Sequence, residues 1–281
     1  MSGREAIGRV TGTWRGRISL AVIVLTVFVA IFGSLIAPYD PTASSLDTLE
    51  PPSPDHWMGT TEAGEDVFSQ LLVGTRTSVI VGFAAALISA VIGSAVGVAS
   101  GYFGGWTDRI LDAFENWFLV IPALPLMIVL ARLLDPSLGV LVAVIGLTSW
   151  AGTGRIVRAQ VMTLRERAFV ERARALGAGD FYIIKTHVLP NTLPLIFANT
   201  VLIIAVAILS EAALSFLGLG DPSRISWGSM LENAFGSGAP SAGAWWYVIP
   251  PGLSITILVL AVSLIGFLFE QVINPRLARE S

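Results

Sequence analysis

The sequence predicts an all-α, polytopic membrane protein with six transmembrane helices. Three observations carry that reading. First, 54% of the 281 residues are hydrophobic and only 13% are charged, about half the charged share of an average soluble domain; the mean hydropathy is +0.74. Second, the apolar residues gather into six runs, most near the ~20 residues that cross a bilayer core as helix. Third, the basic residues are one-sided. With the N-terminus inside, the inner segments hold Arg4, Arg9, Arg15, Arg17, Arg109, the seven from Arg155 to Lys185, Arg276 and Arg279, which is 14 of 17. Only Arg76, Arg132 and Arg224 fall on or near the outer side, as the positive-inside tendency requires.

The elements follow in order. Residues 1–17 form a basic tail, and Ile18–Ala37 is the first span, longer than the ~7–15-residue core of a cleaved signal. Pro38–Gly74 is polar, acidic and Pro-rich. Prolines 51, 52 and 54 exclude helix there, so it is an ordered loop leading into a short amphipathic helix near Asp66–Leu72. Arg76–Ser100 is the second span, with Gly93, Gly97 and Gly101 at four-residue spacing on a face that lets another helix approach closely. Trp117–Leu134 is the third span, interrupted by Pro122 and Pro125, which membranes tolerate where neighbours satisfy the freed carbonyls. Leu138–Ala151 is a short fourth span and Leu193–Leu217 the fifth. A Gly/Pro/Ser-rich loop, 218–246, precedes the sixth, from Tyr247 or Val248 to Ile273. Residues 1–75 thus form an N-terminal unit of tail, span and external loop, and 76–281 a core of five spans with an inner loop at 153–191.

That inner loop carries the most information. Arg165–Asn191 is too polar for a lipid core and lies between two apolar segments. Phe169, Ala173 and Leu176 recur at i, i+4, i+7 on one helical face, with Arg158, Arg165 and Arg172 on another. Gly177 and Gly179 stop the helix, and a second helical piece, Phe181–Val188, runs into Leu189-Pro190. By composition alone, such a basic helix lies on anionic head groups.

Several chemistries are excluded or disfavoured. The chain has no cysteine, hence no disulfide or thiolate metal site. His56 and His187 are far apart, which disfavours a histidine metal site. No G-x-x-x-x-G-K-[ST] loop is present and the only lysine, Lys185, follows Ile184, so the chain does not bind ATP by that mechanism. Glu211 is the ionisable residue well inside an apolar run. It reads either as a gate or translocation-path residue, with Asn199 as a polar wall residue, or more simply as a carboxylate hydrogen-bonded to serines and backbone groups of adjacent helices.

The spacing of Glu171, Ala173, Gly177 and the terminal Leu189-Pro190 resembles the EAA loop of permeases in ATP-binding-cassette (ABC) importers, with Arg172 where the motif has alanine. Further blocks agree: HWMGTTEAGEDVFSQLLVGTR at 56–76, SEAALSFLGLG at 210–220 with SWGSML at 226–231, and the terminal NPR. Together they resemble the C-type permease of the dipeptide/oligopeptide/nickel class over nearly the whole chain. The departures are Gly59-Thr60-Thr61 for GTD, Gly64-Glu65-Asp66 for GRD, Asn274 for Asp, and Ala113 and Asn116 for the usual Arg and second acid. The resemblance implies a type I importer permease and no enzyme. It places two similar permeases at the pore, two cytoplasmic ATPases carrying ATP and Mg, an external binding protein, and no nucleic acid. It also implies that Phe169, Glu171, Ala173, Leu176, Gly177, Leu189 and Pro190 couple to the ATPases, in a bacterial cytoplasmic membrane with both termini inside. Peptides are the expected cargo; nickel chelates, glutathione and haem are alternatives within the same architecture. An ion-coupled carrier would need an inverted repeat and coupling carboxylates that the sequence does not offer.

Overall fold

A computed structural model describes residues 12–273; the expected basic tail and the terminal NPR lie largely or wholly outside this range. The described residues are nearly all helical. The helices are α1 (Trp14–Ile36), α2 (Val67–Phe103), α3 (Gly105–Val120), α4 (Ala123–Leu133), α5 (Leu138–Arg165), α6 (Ala168–Ala175), α7 (Asp180–Ile183), α8 (Leu189–Phe216), α9 (Trp227–Gly236) and α10 (Trp245–Ile273). Five segments are long and apolar enough to span a bilayer, and the bent pair α3–α4 makes a sixth. Large apolar side chains such as Phe28, Leu87, Leu147, Leu209 and Leu260 are exposed along them, which is how a chain solvated by lipid presents itself.

The bundle is built on α2 and α5, which cross along the glycine stripe. A β-carbon on Gly93 would lie 2.6 Å from the Trp150 carbonyl oxygen, on Gly97 2.5 Å from that of Gly154, and on Gly101 2.7 Å from that of Arg158. The two backbones therefore meet over three successive turns, as the small-residue pattern requires.

The structure corrects four expectations. No separate helix ends at Leu72: α2 runs unbroken from Val67 into the second span. Asp66 starts α2, its Oδ2 accepting from the Ser69 amide at 2.7 Å, and nothing between Leu72 and Arg76 breaks the helix because Gly74 packs against Ile225 and Ser226. The third span begins at Gly105 instead of Trp117, and the interruption expected at Pro122 is a sharp bend. Pro122 has no amide to continue α3, and α3 and α4 meet at 88°. The fourth span continues to Arg165, about four turns beyond Ala151, because Arg155 and Arg158 find acceptors on α3. Finally, loop 218–246 contains α9, begun by a capping box in which Ser226 and Ser229 satisfy each other's amides.

At the end of the bundle opposite Arg155–Lys185, the Pro-rich loop is held by side chains. His56 Nδ1 lies 2.9 Å from Asp66 Oδ1, and Trp246 Nε1 donates to the Thr60 carbonyl at 3.3 Å. Asp221 accepts from the Leu138 amide at 3.0 Å, tying the loop after α8 to the start of α5. Burial pushes its carboxyl up, but the Ser223 hydroxyl and amide, the Leu138 amide and Arg224 together hold it below the ordinary value.

Candidate functional site

Two regions carry polar chemistry. The first is the basic end, where the loop after α5 folds into a ledge. Arg165 ends α5 and Arg167 starts α6, so Arg158 and Arg165 sit on one helix and Arg172 on another; the single arginine face expected from the spacing does not form. The inner face of α6 is Val170, fully buried, and Ala173, packed with Val98, Tyr102, Val157, Val161, Ile183 and Val188. Phe169 instead turns outward, with its ring centroid 5.9 Å from that of His187. Glu171 is exposed in the first turn of α6, where a negative charge complements the helix dipole.

Gly177 has φ +83°, a left-handed conformation that lets α6 stop and the chain turn. The Phe181–Val188 piece does not end at Leu189-Pro190 but continues into α8. Proline at 190 crowds the carbonyl four residues earlier. The backbone widens there into one π turn, Ile184–Val188, and the Leu189 amide bonds the Ile184 carbonyl five residues back. The ledge is pinned to α2: the Tyr102 hydroxyl donates to Asp180 Oδ1 at 2.7 Å, and Arg174 lies over the Tyr102 ring at 5.9 Å. The Tyr102 phenol beside it pushes the Arg174 guanidinium above its ordinary value. Outward, the ledge presents Leu176 (89% exposed), Phe181 (79%) and Tyr182 (56%). Phe181 and Tyr182 were not singled out in the sequence, although two adjacent aromatic residues just after Gly179-Asp180 in a polar loop were a usable signal.

The second region is an open-sided cavity of about 470 Å³ between the α3–α4 bend, α5 and α8. Asn199 lines it and donates to Thr153 Oγ1 at 2.9 Å. Thr148, Ser149 and Ser210 add hydroxyls, Phe118 and Met127 add apolar wall, and no charged side chain lines it. Glu211 is not part of this wall. It is fully buried, Oε2 accepting from Ser78 at 3.0 Å and Oε1 from Ser215 at 2.8 Å, while Ser78 Oγ accepts from the first amide of α9. Its surroundings match the hydrogen-bonded alternative, a tie between α2, α8 and α9. Glu211→Ala should then lower stability by about 1–3 kcal/mol by orphaning two buried hydroxyls, with Glu211→Gln milder, read as thermal melting in detergent. Loss of transport in Glu211→Gln with unchanged melting would instead make it a path residue.

Sequence reasoning missed a third feature. Asp108, Asp112, Glu115 and Asn116 on α3 face Arg155 and Arg158 on α5. Arg158 donates to both Asp108 oxygens, at 2.6 and 2.8 Å, and lies 3.5 Å from Asp112. Glu115 is only 1% exposed, against Gly154, whose missing side chain makes its room. The signal was present: the acids fall at i, i+4, i+7, a one-sided helical spacing.

Spans around an open-sided neutral cavity, with a pinned helical ledge at one end, define a polytopic membrane permease. Residues 93–279 match the family described as binding-protein-dependent transport system inner membrane component, and residues 14–52 match the N-terminal TM domain of oligopeptide transport permease C. The chain belongs to this permease family. Similar proteins include the dipeptide transport system permease protein DppC of Bacillus subtilis, 33% identical over 98% of this chain and 88% of the relative. The oligopeptide transport system permease protein OppC of the same organism is 33% identical over 98% and 90%. The probable D,D-dipeptide transport system permease protein DdpC of Escherichia coli is 35% identical over 92% and 86%. A solved structure of the MetNI methionine ABC transporter in inward-facing conformations shares the fold, with TM-score 0.55 and 20% identity over 73% of this chain and 95% of that one. As in its relatives, the chain is a non-catalytic permease.

Proposed function

We propose that the chain is one of two permease subunits of an ATP-driven, binding-protein-dependent ABC importer for di- and oligopeptides, in a bacterial cytoplasmic membrane with its basic end inside. The observation that carries this reading is the ledge. Leu176, just past the end of α6, and Phe181 and Tyr182 on α7 are large exposed side chains among Arg167, Arg172 and Arg174, at the end that the positive-inside rule puts in the cytoplasm. A lipid-facing residue has no need of a rigid polar mount. Exposed apolar anchors on one, ringed by cations, suit a groove on a cytoplasmic ATPase with an acidic rim. ATP and Mg would belong to that partner, a second permease would close the open side of the cavity, and the outer loops at 38–75 and 219–246 would receive the binding protein. Relatives named for dipeptide and oligopeptide transport support peptide cargo. So does the cavity: hydroxyls and Asn199 offer hydrogen bonds to any peptide backbone, and the absence of charge in its wall leaves side chains unselected.

The test is co-purification. Solubilised with its genomic neighbours, the chain should come out with a second permease and two ATPase subunits; isolation alone under conditions that preserve the membrane fraction would reject the reading. Within such a complex, Gly177→Val places a β-branched residue at φ +83°, a conformation costing at least about 1–2 kcal/mol. It should keep the complex assembled while reducing ATP-driven uptake about tenfold or more; unchanged uptake would show that the turn at 177 has no part in coupling.

A further inference from the structure

The helix that floors the cavity is joined by polar contacts to α5, the helix that carries the ledge, and its two ends are free to swing. α3 begins at Gly104 and Gly105, with φ +67° and +56°. Consecutive left-handed residues of this kind are open to glycine and strained for other side chains. It ends at the 88° bend with α4. Much of its outer surface is bare: Trp106, Ile110, Trp117 and Val120 are 75%, 63%, 58% and 81% exposed. At its far end Phe118 and Leu119 line the cavity, roughly 15 Å along the helix from Asp108 at 1.5 Å per residue.

At its near end α3 meets a rigid body. Arg165 Nη1 donates to the Tyr102 carbonyl at 3.3 Å, Tyr102 donates to Asp180, and Val170, Ile183 and Val188 seal the joint between α2, α5 and the ledge. From this body two arginines reach α3. Arg158 grips Asp108 through both carboxylate oxygens, Ser100 donates to the same carboxylate, and Arg155 donates to Asn116. An apolar contact slides. A bidentate guanidinium–carboxylate pair holds one geometry and transmits displacement in a fixed direction.

We propose that the Arg158–Asp108 pair is the joint through which movement of the ledge reaches the cavity floor, so that both are positioning residues for transport. The proposal rests on the ATPase-coupled reading above. Gly104–Gly105 is the pivot, Arg158–Asp108 the grip, and Phe118 and Leu119 the end that moves.

The chain contains no cysteine, so cysteine pairs can be introduced for spin labels without removing any. One pair, Leu35→Cys with Glu166→Cys, reports the ledge from an exposed position outside the proposed docking anchors, and Leu35→Cys with Val120→Cys reports the floor. Distances are measured in the full reconstituted complex with and without a trapped ATP analogue. Both should shift in the otherwise unaltered chain; absence of any shift there would count against ATPase coupling itself. Asp108→Asn should keep the shift at 166, lose it at 120, and reduce uptake of labelled alanyl-alanine about tenfold. Asp108→Arg combined with Arg158→Asp should restore both. The proposal is overturned if Asp108→Asn leaves the floor moving, if it abolishes the ledge shift as well, or if the reversed pair, present at normal levels in the membrane, recovers nothing.

Discussion

Replacing Gly97 with leucine is expected to prevent assembly of the bundle. A single β-carbon at this position would lie 2.5 Å from the Gly154 carbonyl oxygen and 2.8 Å from the Val157 β-carbon. Neither neighbour is the free end of a flexible side chain, so α2 and α5 must separate. Over-packing a core with extra methylenes costs about 1–3 kcal/mol, and a leucine wedged between two backbones should exceed the upper figure. The separation would be felt along the whole crossing, since Gly93 and Gly101 meet α5 one turn away on either side. The eight tryptophans supply a melting signal in detergent. The variant should yield little monodisperse protein or melt far below the parent chain. An unchanged melting curve would mean that the glycine contact is not what holds α2 to α5.

The second large effect is expected on assembly and not on folding. Phe181 and Leu176 are among the most exposed apolar side chains at the basic end. Leu176→Asp with Phe181→Asp removes the two anchors and sets negative charge before a groove whose rim is proposed to be acidic. A buried anchor contributes about 2 kcal/mol or more at a protein interface, so losing two should reduce co-purified ATPase at least a hundredfold. Because neither side chain is buried in this chain, the variant should melt as the parent does. Retention of the ATPases would move the docking surface elsewhere, with Phe169 and the exposed face of α6 as the next candidates.

Much of the architecture was legible in the sequence because lipid imposes a simple rule: apolar runs become spans, and basic residues mark one end. The glycine stripe was legible for the same reason, since a four-residue spacing of small residues has one geometric use in a helix. What the sequence hid came from partners distant along the chain. The α3–α4 bend depends on Pro122, but its angle is set by packing against α5 and α8. The extension of α5 past Ala151 was hidden because Arg155 and Arg158 look unsuited to a span until Asp108 and Asn116 are opposite them. Glu115 went unremarked because its segment is too polar to count as an apolar run, yet folding encloses it against Gly154. In the ledge, the pattern placed Phe169 and Ala173 on one face, while packing chose Val170 and Ala173. An eight-residue helix has too few turns for periodicity to decide which face goes inward.

Nucleotide-driven uptake of labelled di- to tetrapeptides into vesicles separates an ATP-driven peptide importer from every other reading of this chain. These would contain the chain with its partner permease and ATPases, with and without the external binding protein. Saturable uptake that needs both ATP and the binding protein is the predicted result. Uptake that proceeds without ATP and follows an ion gradient would contradict it. ATPase activity stimulated by the binding protein with no peptide accumulated would keep the architecture and overturn the cargo.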